Sequence, residues 1–186
     1  SGVPWIYIFF GGFLVTLSLP LIWISLYDYQ KQRILTLFNP EADVYGAGWN
    51  IVQSKIAVGS GGLFGKGFLN GSQSQLNFIP ESHSDFIFSV IAEEFGLLGI
   101  SILFFIYGIL IYRLLMVSFY SSNKFAKIVS GTLSIILLAY ISINISMVIG
   151  LLPVVGMPLP FLSQGGTALI VNLLTIGIIL SLRKEV

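Results

Sequence analysis

The sequence predicts an all-α polytopic membrane protein, with four transmembrane helices and one large extracytoplasmic loop. Three observations carry that prediction. The chain of 186 residues is 55% hydrophobic and only 9% charged, with a mean hydropathy of +0.93, whereas soluble domains carry about 25% charged residues. Four apolar runs each exceed the ~20 residues that cross a bilayer. Between the first and second runs lies a long connection rich in Gly, Ser, Asn and Gln. The same figures exclude other classes. Nine Lys and Arg are scattered rather than clustered, so no nucleic-acid patch is present. The absence of cysteine excludes disulfides, thiolate metal sites and a cysteine nucleophile. The chain opens Ser1-Gly2-Val3 without Met or a charged n-region, which predicts a fragment rather than a signal peptide.

In order, the first span runs from about Pro4 to Tyr27, the second from about Phe86 to Val117, the third from about Phe125 to Gly150, and the fourth from about Ser163 to Leu182. Residues 1–186 thus form a single transmembrane region with an outer loop over 28–85. Arg113, Lys124 and Lys127 flank the turn between spans two and three, and Arg183 and Lys184 follow span four. The positive-inside rule places both clusters in the cytoplasm. The loop 28–85 and the turn 151–162 then face outward. Lys31, Arg33, Lys55 and Lys66 weigh little against this orientation, because charges in long loops orient weakly. Within the loop, Ile34 to Phe38 is apolar enough to rest on the membrane, and Trp49 to Ile56 suits a short interfacial helix. A connection so long and glycine-rich reads as a functional surface.

Two groups in that loop invite chemistry. Gly59-Ser60-Gly61-Gly62 and Gly65-Lys66-Gly67 allow backbone geometries closed to other residues. Their amides can converge into an anion nest, with Lys66 as a point charge for phosphate; plain exposed turns explain the same residues. The match is not a Walker motif, since Gly67 follows Lys66. The second group is Glu81-Ser82-His83-Ser84-Asp85, immediately before an apolar run. If the helix starts near Ser84, then Asp85, Ser89, Ala92, Gly96 and Gly99 share a face of small residues suited to close helix packing. Asp85 there is either a reactive carboxylate or an N-terminal helix charge, with Ser84 as the cap. Glu93 lies about 80° around the helix from Asp85 and Glu94 about 180°. Glu93 is therefore the better candidate to border a shared cavity, and Glu94 to pair with a cation from another helix. His83 with Glu81 and Asp85 falls short of a metal set, and a hydrogen-bonding loop histidine accounts for it. Asn144 and Asn172 read as interhelical hydrogen-bonding residues. Pro153, Pro158 and Pro160 preclude regular helix between spans three and four. That turn reads either as a rigid re-entrant cap or as the wall of a substrate groove.

Several long motifs in fixed order resemble the SEDS family (shape, elongation, division and sporulation proteins), in particular its RodA-like elongation branch. They are Trp49 to Lys55, Ala57 to Leu63, Gly65-Lys66-Gly67, Gly71-Ser72-Gln73, Pro80 to Phe88, Ala92 to Gly96, and Leu152 to Gly166. Ser84 stands where many members carry Thr and keeps the hydroxyl. Gln164 stands where many carry Tyr, and so receives no essential role. The resemblance implies the C-terminal part of a roughly ten-helix fold and a peptidoglycan glycosyltransferase that polymerises lipid II in the bacterial plasma (inner) membrane. It also implies work alongside a class B penicillin-binding protein, with Asp85 at the position regarded as catalytic.

A mechanism fits that implication. Asp85 accepts the proton of the acceptor sugar hydroxyl as it attacks. Lys66, Lys55 and the amides around Ser60, Gly61 and Gly62 offset charge on the departing lipid diphosphate, with Glu81, His83 and Glu93 lining the substrate site. A divalent cation, Mg or Mn, is the one cofactor this chemistry suggests. Membrane lipid is a partner and nucleic acid is not. The competing readings are a lipid II flippase using Glu93 and Glu94 in an inner cavity, and a non-catalytic scaffold of a cell-wall complex.

Overall fold

The computed structural model describes residues 4–43, 46–76, 78–80 and 82–183. Among them the elements are α1 (Trp5–Ser25), α2 (Asp28–Phe38), a 3-10 turn (Pro40–Ala42), α3 (Ala47–Ser60), α4 (Ser72–Gln75), α5 (Ile87–Tyr120), α6 (Lys124–Val148) and α7 (Gly166–Leu182). All regular structure among the described residues is helical. Helices α1, α5 and α6 are long and apolar enough to cross a membrane. Helix α7 is equally apolar, but its 17 residues span only about 26 Å at 1.5 Å per residue. That is slightly less than the ~30 Å hydrocarbon core.

Helices α5, α6 and α7 form the core. Tyr107, Ile111, Leu114 and Val117 recur along one face of α5 at the spacing of a helical stripe. They are buried with Leu137, Ile141 and Val148 of α6 and Ile179 of α7. Where α5 turns into α6, small residues replace large ones. Ala126, Ser130 and Ser134 are fully buried, and the two serines donate to carbonyls one turn back, Ser130 to Ala126 and Ser134 to Ser130. Hydroxyls satisfied within their own helix let two backbones approach closely in an apolar setting. Asn123 caps α6, its side chain accepting from the Phe125 amide at 2.9 Å. Helix α1 stands apart: none of its described side chains is buried.

The loop expected over 28–85 is largely helical. The apolar stretch Ile34 to Phe38 is the end of α2, and the helix expected over Trp49 to Ile56 lies inside α3. Helix α3 packs against the start of α5 and the end of α6. Ser54 Oγ donates to the Val148 carbonyl at 2.8 Å, and Trp49 Nε1 donates to the Phe78 carbonyl at 2.9 Å. The connection over 28–85 is thus bound to the end of α6 through Ser54 as well as by Ile51 and Ala57, both buried, while Trp49 ties two parts of the connection together.

Helix α5 is broken at Gly96, whose backbone (φ 63°, ψ −160°) is not helical. In an unbroken helix the Leu97 and Leu98 amides would donate to the Glu93 and Glu94 carbonyls. Instead the loop after α3 inserts and takes all four groups. Lys66 N donates to Glu93 O at 2.9 Å and Gly67 N to Glu94 O at 3.0 Å, while Leu97 N donates to Gly62 O at 2.9 Å and Leu98 N to Leu63 O at 3.1 Å. No side chain fits at the crossing. A Cβ on Gly96 would overlap Gly65 and Leu63, one on Gly65 would overlap the Glu94 carbonyl, and one on Gly61 would overlap the Ala92 carbonyl.

Candidate active site

Asp85 does not lie in the first turn of a helix, contrary to expectation. The residues Ser82 to Phe86 form a turn, and α5 begins at Ile87 with Phe86 in the capping position and no side-chain cap. Ser84 is therefore not an N-cap. The reason is packing: Phe86 is 1% exposed, and its carbonyl takes both the amide (2.9 Å) and the hydroxyl (2.7 Å) of Ser89, closing the first turn there. The small-residue face is present as far as the break. Ser89 and Ala92 have no exposure and Gly96 is buried, but Gly99 lies beyond the break and is half-exposed.

The Asp85 turn is held from outside by the proline-rich segment and α6. Three successive carbonyls are each taken by a different donor. His83 O accepts from Gln164 N at 2.9 Å, Ser84 O from Ser163 Oγ at 2.6 Å, and Asp85 O from Asn144 Nδ2 at 2.9 Å. Asn144 Nδ2 also donates to Met157 O at 2.6 Å, and Ser163 Oγ accepts from Leu159 N at 2.6 Å. Tyr107 of α5 anchors the same segment, its hydroxyl donating to Pro160 O at 2.6 Å. The Asp85 side chain is half-buried and faces Gly156, where a Cβ would lie 3.3 Å from Asp85 Oδ2. Gly156 has φ +72°, in the left-handed region that glycine enters without steric cost. The proline-rich segment therefore forms a wall beside the carboxylate.

The remaining candidates form a second group around the helix break. Glu93 has no exposure and does not border open space. Its carboxylate accepts from Lys66 Nζ at 2.6 Å, Ser72 Oγ at 3.0 Å and Gln73 N at 3.2 Å. Lys66 Nζ also donates to Ser72 Oγ at 2.8 Å. Lys66 is thus neutralised inside the protein, where sequence reasoning had placed it against a phosphate. The amides of Gly65, Lys66 and Gly67 donate to the carbonyls of Gly61, Glu93 and Glu94, so they do not form the expected nest. Ser60 Oγ turns back to the Ala57 carbonyl at 2.9 Å. Gly61 is buried against α5, and Gly62 is exposed with φ +56°. Glu94 is 5% exposed, and among the described residues no cation pairs with it. Lys55 is exposed and lies across Gly150, where a Cβ would meet its Nζ. His83 is exposed and contributes its carbonyl to the clasp. Glu81 and Lys184 lie outside the described residues.

Among the described residues no group of three or more His, Asp or Glu side chains is placed to hold a metal ion. Arg113 and Arg183 line one cavity of about 420 Å³, which puts the ends of α5 and α7 on the same side.

The whole chain, residues 1–186, matches the model of the FtsW, RodA and SpoVE cell cycle proteins. It is 51% identical over 186 residues to the peptidoglycan glycosyltransferase MrdB of Escherichia coli K12, covering 100% of this chain and 50% of that protein. It is 38% identical over 158 residues to the peptidoglycan glycosyltransferase RodA of Treponema pallidum, covering 84% of this chain and 36% of that one. The chain therefore spans about half the length of the curated relatives it matches. Among solved structures, a peptidoglycan synthase complex that coordinates polymerization and crosslinking matches with TM-score 0.79 and 28% identity, over 99% of this chain and 50% of that one. The rod shape determining protein RodA of Thermus thermophilus, in a mutant form, matches with TM-score 0.55 and 26% identity, over 87% and 58%.

Proposed function

The chain belongs to the FtsW, RodA and SpoVE family of cell cycle proteins, and from that membership we propose that it is the C-terminal part of a peptidoglycan glycosyltransferase that polymerises lipid II during cell-wall elongation. One observation supports Asp85 as its general base: a half-buried carboxylate at the head of a membrane helix, with three consecutive backbone carbonyls fixed, two by the proline-rich wall and the third by Asn144 of α6. A base must be held within hydrogen-bond reach of the proton it takes, and a turn secured this way is preorganised for it.

In this reading the acceptor sugar hydroxyl attacks the donor anomeric carbon. The new carbon–oxygen bond forms as the bond to the lipid diphosphate breaks. The hydroxyl proton passes to Asp85, and the diphosphate leaves with the bonding electrons. The lipid tail stays in the bilayer, which keeps the head group at the level of the turn. Lys55 replaces Lys66 as the cation for the leaving group. Lys66 is occupied by Glu93, whereas Lys55 has no acidic partner among the described residues and crosses Gly150. Gly150 follows directly on the end of α6, the helix that carries Asn144. A divalent cation carried on the substrate diphosphate is compatible with a single carboxylate. The basic ends at Arg113, Lys124, Lys127 and Arg183 face the cytoplasm by the positive-inside rule, so Asp85 faces outward. A class B penicillin-binding protein is the proposed crosslinking partner.

The test is polymerisation of lipid II by the intact protein in detergent, with no second compartment. Asp85→Asn keeps the shape and removes the base, so strand formation is expected to fall by at least ~10²-fold with the unfolding midpoint unchanged. Parental rates from Asp85→Asn would exclude general-base catalysis at this position. No strand formation in detergent, together with lipid II translocation once the protein is placed in sealed vesicles, would favour a flippase.

A further inference from the structure

We propose that Asn144 is a positioning residue for Asp85, acting with Ser163 as a clasp that sets where the carboxylate points. This rests on the reading of Asp85 as the base. Asn144 sits inside α6 with no exposure, and both protons of its Nδ2 are in use, one on Asp85 O (2.9 Å) and one on Met157 O (2.6 Å). One side chain thus fixes the height of the Asp85 peptide and joins it to the wall that faces the carboxylate across Gly156. Ser163 repeats the arrangement one residue earlier, giving its proton to Ser84 O and taking one from Leu159 N, both at 2.6 Å.

The arrangement carries a cost that packing alone does not explain. Among the described residues Asn144 Oδ1 is buried without a partner, and leaving a buried acceptor unmet is unfavourable. Turning the amide over would set Oδ1 against two carbonyl oxygens, so the two acceptors dictate the orientation. Of the side chains of this size, only Asn offers two donors from one atom. Leu fills the volume with no donor, and Asp supplies one donor only when protonated. Both carbonyls lie in irregular, part-buried backbone, outside any helix that could satisfy them. With the carbonyls of residues 83, 84 and 85 all fixed, the direction in which the Asp85 side chain leaves the backbone is fixed too.

The test uses the intact protein, lipid II as substrate, and rates normalised to folded protein. Asn144→Leu is expected to lower kcat by ~30-fold or more, since misplacement by about 1 Å can cost 10²-fold, with KM within about 3-fold of the parent. Ser163→Ala, which removes one strand of the clasp, is expected to lower kcat by ~3–10-fold on the same reasoning. Asn144→Asp should lose less relative to the parent at acid pH than at neutral pH, because protonation restores one donor; a purely space-filling residue would show no such trend. Parental kcat in folded Asn144→Leu, with Asp85→Asn inactive, would overturn the positioning role alone. If Asn144→Leu does not fold, parental kcat in Ser163→Ala overturns it. Parental turnover by Asp85→Asn would remove the base assignment and this proposal together.

Discussion

Glu93 has no exposure, yet Lys66, Ser72 and the Gln73 amide close around its carboxylate. Taking a carboxylate out of water is costly, and removing one partner leaves the charge without compensation. Lys66→Met is therefore expected to destabilise the protein by about 2–3 kcal/mol, the lower end for a buried pair, because the lysine side chain is 31% exposed. The loss should be largely recovered in Lys66→Met combined with Glu93→Gln, where no charge remains buried. Thermal unfolding in detergent checks both; a double variant no better than the single would place the loss elsewhere. The sequence named both residues without pairing them, since 27 positions separate them and neither carries a local sign of the other. Asn144 was legible as a polar group making hydrogen bonds inside the bundle. Its partners were not, because they are main-chain carbonyls of two irregular segments brought together only by the tertiary fold.

The elements were easier to read than their interruptions. Hydropathy located α1, α5, α6 and α7 to within a few residues, because a membrane span must be long and apolar whatever it packs against. The short helix around Trp49 was likewise visible. Hydropathy set the start of α5 near Phe86, one residue from the observed Ile87; the alternative start near Ser84 fails because Ser84 resembles a cap only locally, while the buried Phe86 decides the matter through packing. The break at Gly96 was hidden for a related reason. A glycine in a row of small residues reads as close helix packing, and nothing local shows that a distant glycine loop replaces the helix hydrogen bonds. Gly96→Ala should undock that loop, since the new Cβ meets both an unfavourable φ and the backbone of Leu63 and Gly65. The expected loss is at least ~2 kcal/mol, from the left-handed conformation together with disrupted hydrogen bonds, and amide exchange should accelerate at Lys66, Gly67, Leu97 and Leu98. Gly11→Ala, with nothing within 4 Å, is the matched control. Equal exchange in the two variants would contradict the role given to the break.

At the scale of the molecule, two groups of side chains that one loop seemed to unite are separate. The Asp85 turn belongs with α6 and the proline-rich wall, and the Lys66–Glu93 pair belongs with the glycine loop and the upper end of α5. The part of α5 after Gly96, residues 97–120, is about 36 Å long at helical rise, enough by itself to cross the hydrocarbon. Glu93 and Glu94 then lie at one edge of that span, the outer edge in the orientation proposed from the basic ends. The absence of cysteine from the chain makes that topology directly testable. A membrane-impermeant maleimide is expected to label Gln75→Cys in intact spheroplasts, and Ser122→Cys only after permeabilisation; the opposite pattern would invert the protein in the membrane.

The exchange of backbone bonds at Gly96 also has a mechanical consequence. Segments 61–67 and 93–98 borrow each other's main-chain partners, so neither can loosen while the other stays ordered. A pull on the loop 61–67 is therefore passed directly to the helix that runs through the lipid, across a joint of main-chain bonds braced by the Lys66–Glu93 pair.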